Sequence, residues 1–438
     1  MGVAITGALP AADRRAGRFL SVRATARKAS CVAVIGGGPA GAMLAYELAR
    51  AGITVGLFAP ANRPPLLVGE SLVPAVVPFL QRLGIEEEVA SFSVFKPGAT
   101  FTLRGQDPLV FQFKEFKRIQ SPYAYNCPRD KLDASILRAA ERAGARVFPF
   151  MAKVERCGDD RVRLSAATLR ETDGFFGDGP DWIIDATGRR RLLSNLLELP
   201  ARAGPRRDAA LFAHLEGMPV LSPGHTHSDL LTHGWCWRIP LPGRTSLGFV
   251  APEAALARHG STPEEQYDRC LREDPHVRAF GGEPRRLTPV MRYTNYQMLT
   301  LRGVGEGWAL VGDAFGFVDP VFSSGLMISL DGAVALAKAL REGTPRALAA
   351  YEQRVLRHVD AWHRAIERFY DGRLLTLFQV GIEARKRVIG RLLNMHFSRH
   401  LPQLFTGDAT LRRYSSWLLQ FMCKHGLGGK DPDVLRVR

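Results

Sequence analysis

Residues 31–41 read CVAVIGGGPAG, and this stretch decides the fold. An almost wholly apolar run, Cys31 to Ile35, stops at a glycine cluster, after which AMLAYELARAG has helical spacing and ends on a glycine. A second apolar run, Ile53 to Phe58, follows at once. Strand, glycine-rich turn, helix and strand in that order predict an α/β fold of Rossmann type with a parallel sheet. Gly36, Gly38 and Gly41 satisfy GxGxxG between strand and helix. In that context the backbone comes close to a pyrophosphate and the helix N–H groups face its charge.

Outward from this unit, Asp130 to Ala145 reads as an amphipathic helix, followed by a strand from Arg146 and a polar hairpin region through Gly179. Asp181 to Ala186 (DWIIDA) returns to the sheet. Leu211 to Val250 alternates apolar positions with turns at Pro223-Gly224 and Pro242-Gly243, the pattern of a β-rich substrate lobe interleaved with the nucleotide lobe. Gly307 to Val311 (GWALV) is a last buried strand, Leu326 to Leu340 a long helix, and nearly everything from Pro345 to Lys424 reads as helix, including a basic segment over 384–393. The expected divisions are a basic tail over 1–30, a nucleotide-binding domain over 31–345 whose substrate lobe comes from about 95–125 and 205–300, and a helical region over 346–438.

The chain has 438 residues, 46% apolar and 23% charged, enough for a full core divided between two lobes. Charged residues break every run short of the ~18–20 apolar residues a membrane helix needs. Six scattered cysteines with no CxxC, and eleven histidines with no HExxH, predict no disulfide framework and no metal, and place the chain in a reducing, cytoplasmic compartment. The net charge of +16 is spread along the whole length, against a nucleic-acid function but compatible with an acidic protein partner or with a plain solvated surface. Residues 1–30 hold six Lys or Arg against one acid and read as a transit-like or frayed tail.

A second nucleotide element, Gly312-Asp313-Ala314, follows GWALV and puts a carboxylate at a strand end within reach of a sugar hydroxyl. Two distant dinucleotide motifs favour FAD over NAD. The usual ribose carboxylate at the end of the second strand is missing, since Ala59 stands there in LFAPANR. The order GxGxxG, DATG at 185–188, then Gly312-Asp313 resembles the FAD-dependent aromatic hydroxylase superfamily over about residues 31–345. Trp235-Cys236-Trp237-Arg238-Ile239-Pro240 is similar to the WxWxIP signature of flavin-dependent halogenases, and Asp319-Pro320-Val321-Phe322-Ser323-Ser324-Gly325 to their DPxxSxG segment. Gly69-Glu70-Ser71 with Pro74, and Lys96 in FKPGATF, complete the resemblance.

The resemblance implies a flavin reduced elsewhere, because no second GxGxxG holds a nicotinamide. A separate reductase would supply FADH2, which reacts with O2 to a flavin hydroperoxide that chloride or bromide attacks, giving hypohalous acid. Lys96 is the candidate to retain and aim it, by hydrogen bonding or as a chloramine. An exposed lysine in a Pro-Gly turn is the plain alternative. Ser324 and Gly325, opening the Leu326 helix, are the candidate halide ligands, with Ser323 beside them and Leu326 against the flavin. Trp235 and Trp237 share one strand face and would wall the flavin from the substrate, unless they are simple core packing. Arg129, Glu70 and Ser71 match flavin-contacting positions. The tryptophan-specific members carry a glutamate where Phe322 stands, so the form here resembles members acting on phenols, pyrroles or carrier-protein-bound acyl groups. Competing readings are a flavin monooxygenase, a reductase of geranylgeranyl-reductase type, and a redox-silent protein that docks a carrier.

Overall fold

A computed structural model describes residues 28–61, 66–117, 119–294, 297–384, 403–407 and 413–438. Residues 1–27 of the basic tail and 385–393 of the basic segment lie outside them. The decisive strand, Cys31–Ile35, pairs in parallel with Thr54–Phe58 on one side and Trp182–Asp185 on the other. Arg146–Phe148 and Trp308–Leu310 extend the sheet in parallel, and Val304–Gly305 closes one edge antiparallel. These strands are apolar along their length because both faces of the sheet are covered. The helix Pro39–Arg50 packs against Arg129–Arg142 and against Gly325–Glu342 on one face. On the other face Phe58 stacks with Phe148 and Phe176.

The glycine turn is forced by close packing. Gly36 has φ +120°, and a Cβ there would lie 2.3 Å from the Ala186 carbonyl oxygen. At Gly41 a Cβ would stand 2.0 Å from the Gly36 carbonyl oxygen, so this residue seats the helix on the strand. A Cβ on Gly38, by contrast, would meet no protein atom within 4 Å.

A second, larger sheet contains an antiparallel meander of Thr226–Leu230, Trp235–Leu241 and Arg244–Pro252, with the earlier strand Asp208–Glu216 paired antiparallel beyond Arg244–Pro252. Gly98–Thr102, from far earlier in the chain, joins Thr226–Leu230 in parallel, and Leu109–Gln112 pairs beyond it. Its strands alternate. Phe212, Trp235 and Trp237 face the core shared with the first sheet, while Leu211, Leu247 and Phe249 form a separate cluster under the helix Pro263–Glu273. The 26-residue helix Pro345–Tyr370 packs along Gly325–Glu342. The region read as a polar hairpin through Gly179 also contains a helix, Ala166–Glu171, whose start is fixed by Ser165 accepting from the Thr168 amide. Among the described residues no helix is long and apolar enough to cross a membrane.

Candidate active site

A cavity of about 830 Å³ opens at the ends of the parallel strands, lined by Gly36, Gly38, Pro39, Thr187 and Gly188, and by Asp313 and Leu326 from later in the chain. One side is the start of the helix Pro39–Arg50, whose first N–H groups lack helical partners. Opposite, the Arg129 guanidinium donates to the Val68 carbonyl and pairs with Asp133 at 3.0 Å. Asp313 is half-buried at the cavity wall, and its desolvation pushes its carboxyl up to about 6 against the pull of Arg129 and Arg189. Ala59 and Pro60 line the cavity where a ribose acid was missed, and its only lining carboxylates among the described residues are Asp133 and Asp313. The open space over Gly38, the helix N-terminus and the Asp313 carboxylate within reach of a sugar hydroxyl suit a long dinucleotide such as FAD.

The helix Gly325–Glu342 points its N-terminus at the same cavity, and Ser323, Gly325 and Leu326 line it. Ser324 does not. It is fully buried, and its Oγ has no hydrogen-bond partner among the described residues. An orphaned hydroxyl beside unpaired helix amides is the donor set an anion needs. Ser323 adopts φ +54° and borders a second cavity of about 20 Å³, walled by Trp235, Trp237, Thr226 and Ser228 on one side and by Pro320 and Val321 on the other. The two indoles lie 6.0 Å apart, centre to centre.

Lys96 is 2% exposed, so the Pro-Gly-turn reading of an exposed lysine is set aside. It ends the short strand Val94–Lys96, paired with Ala124–Asn126, and turns its ammonium inward over the Phe113 ring. Nζ donates to Ser71 Oγ at 2.7 Å and to the Leu72 carbonyl at 2.8 Å. Burial pushes its pKa down to about 7, with Cys127 opposing. Ser71 in turn lies 2.6 Å from Thr226 Oγ1, which donates to Asn126 Oδ1 at 3.0 Å. Ser71 lines the large cavity and Thr226 the small one, so Lys96 sits behind the hydroxyl pair that separates them.

Not every expected residue faces the nucleotide cavity. Glu70 turns away, its carboxylate 2.8 Å from His214 Nε2 in a buried pair, because Gly69 and Ser71 take the two cavity-facing places around it. Gly41 is buried under the turn and acts through packing. Asp185 of DATG accepts from the Thr187 and Leu193 amides and holds its own turn. Phe322 packs with Phe101, Trp362 and Phe369 in an aromatic cluster. Thr226, Asn126 and Tyr370 were missed, since no local motif marks them. Arg189, which lines the cavity, follows DATG directly and was readable from its place there.

The tryptophan halogenase family matches residues 31–121 and 112–417. The chain belongs to this family. A flavin-dependent halogenase of Armillaria mellea, armH5, is 30% identical over 365 residues, spanning 77% of this chain and 68% of that protein. The 1H-pyrrole-2-carbonyl-(peptidyl-carrier protein) chlorinase of Pseudomonas fluorescens is 26% identical over 390 residues, 80% of this chain and 85% of the relative. Coverage of other curated relatives falls as low as 60% of their length. The solved structure of the myxobacterial chondrochloren halogenase CndH superposes with a TM-score of 0.65 at 25% identity, over 93% of this chain and 99% of that one. The halogenase is thus an FAD-dependent oxidoreductase by family, with its Rossmann-type sheet and two-motif nucleotide cavity.

Proposed function

We propose that this halogenase chlorinates or brominates a phenol, a pyrrole or a carrier-protein-bound acyl aromatic, using FADH2 delivered by a separate reductase. Residues 31–345 then act as an FAD domain with an interleaved substrate lobe, and the helical residues beyond as its cover. The observation that carries the reading is the buried Lys96 ammonium, one hydrogen bond from Ser71 on the nucleotide cavity and backed by Thr226 beside the tryptophan pair. Gly36, Gly38, Arg129, Asp313 and Leu326 would hold FAD, whose reduced form supplies, with O2, the two-electron oxidation of halide.

The chain's own groups do the rest. Ser324 Oγ and the Gly325 amide hold the halide at the helix N-terminus. Lys96, as an ammonium, donates a hydrogen bond to the hypohalous acid and aims it toward the small cavity. Trp235 and Trp237 keep the organic substrate from the flavin, which suppresses direct oxygenation. The chlorinase relative acts on a carrier-bound pyrrole, and the excess of basic side chains here suits an acidic carrier. The test is product formation from externally supplied FADH2 with and without bromide, over phenols, pyrroles and carrier-bound acyl groups. Halide-dependent bromination supports the proposal, and a hydroxylated product indifferent to halide overturns it in favour of a monooxygenase.

A further inference from the structure

We infer that Tyr370, which ends the helix Pro345–Tyr370, is a positioning residue that ties the Trp235–Trp237 wall to the 319–325 segment and fixes the width of the passage between them. Its phenol oxygen accepts from Trp235 Nε1 at 3.1 Å and donates to Asp319 Oδ2 at 2.8 Å. Asp319 spends its other oxygen on the Val321 amide at 3.0 Å. Trp235 belongs to one wall of the small cavity, and Pro320, Val321 and Ser323 to the other. One side chain, from a helix with no part in either motif, therefore commits its donor to one wall and its acceptor to the other.

The phenol is itself held. The Arg206 guanidinium lies 4.0 Å above its ring and pairs with Asp208, and Phe369 meets it edge-on at 5.4 Å. With a volume near that of a single water, the cavity passes a small oxidant only as its walls allow. Spacing held to a fraction of an ångström decides whether the oxidant is delivered or lost to water.

Asp319 makes the link sensitive to pH. Burial pushes its carboxyl up to about 6; the Tyr370 hydroxyl, the Val321 amide and Arg206 favour the ionised form, and Asp208 opposes it. Both bonds favour the carboxylate, the stronger acceptor, so protonation weakens the link as pH falls below about 6. With a folded pKa raised above the ordinary value, Asp319 contributes stability that is full at low pH and lost as pH rises through about 6. Removing the hydroxyl raises the pKa further and carries that loss to higher pH.

The inference rests on the halogenation reading, and the experiment keeps the two apart. Tyr370→Phe retains the ring and its stacking but not the hydroxyl. The FAD-loaded variant is expected to bind FAD like the parent, while halogenated product per reduced flavin falls roughly fivefold, the worth of about one buried hydrogen bond. Trp235→Phe cuts the link at its other end, and the double variant is expected to lose no more than the worse single one. Independently of turnover, the urea midpoint of the parent relative to Asp319→Asn is expected to decline with rising pH up to about 6, and in the Tyr370→Phe background to go on declining above it. An unchanged product yield in a folded Tyr370→Phe protein, multiplying effects in the double variant, or a decline unmoved by Tyr370→Phe would each overturn the role. A parent that makes no halogenated product defeats the function instead, and leaves the urea comparison to decide the link.

Discussion

Lys96 carries a charge into a place where charge is costly, and its neighbours define what that charge can do. Two acceptors, Ser71 Oγ and the Leu72 carbonyl, take two of its three protons, and burial lowers its pKa to about 7. The ammonium is then the dominant form below about 7 and the free amine above it. If the ammonium aims the oxidant by hydrogen bonding, halogenation falls as pH rises through about 7; a rise over the same range would assign the step to the amine and a chloramine. A pH–rate profile at saturating FADH2 and bromide reads this directly. Thr226→Val keeps the shape but removes the hydroxyl behind Ser71, and is expected to lower the rate severalfold with FAD affinity unchanged. Lys96 itself was readable from FKPGATF, but its burial was not, because the groups that meet its ammonium, Ser71, Leu72 and Phe113, come from other stretches of the chain. Glu70 shows the opposite failure. It sits in the same motif as Ser71, and only the strand carrying His214 reveals which way its carboxylate turns.

Elements were the most legible level, because periodicity and glycine placement are local signals. The strand Cys31–Ile35, its turn and its helix follow from CVAVIGGGPAG and the run after it, and the helix Gly325–Glu342 from its own stretch, read as Leu326 to Leu340. The helix Ala166–Glu171 was hidden, since it spans only a turn and a half inside a polar stretch. The three turn glycines, identical in a motif, separate by the space around them. Gly41→Ala would drive a Cβ into the Gly36 carbonyl and is expected to destabilise the fold itself by at least about 1–3 kcal/mol. Gly38→Ala meets no protein atom and is expected to leave the unfolding midpoint of the FAD-free protein unchanged while weakening FAD binding tenfold or more, about the cost of losing one close approach to a phosphate. Thermal melts with and without FAD distinguish the two. Equal losses of stability would remove Gly38 from the cofactor site.

At the scale of the whole molecule, two sheets share one core, and the site lies where the nucleotide cavity meets the tryptophan face of the larger sheet. The larger sheet depends on a parallel pairing between Gly98–Thr102 and Thr226–Leu230, which no local pattern announces. That pairing sets Thr226, on the cavity that the tryptophan pair walls, against Ser71, the hydrogen-bond partner of Lys96. The net charge of +16 acts at this scale too, and a carrier-bound substrate is expected to show a KM that rises steeply with ionic strength, whereas a free phenol would show little change. Equal salt dependence for both would argue against an acidic carrier. On the proposed function, Lys96 directs oxidised halide from the nucleotide cavity to the substrate. The most direct measurement of this compares the parent with Lys96→Ala, each loaded with FAD and given FADH2, O2 and bromide, by quantifying brominated product and flavin oxidation together. Equal FAD binding and flavin oxidation are expected, with bromination lost in the variant, and a Lys96→Ala protein that brominates at the parent's rate would remove Lys96 from the delivery of the oxidant.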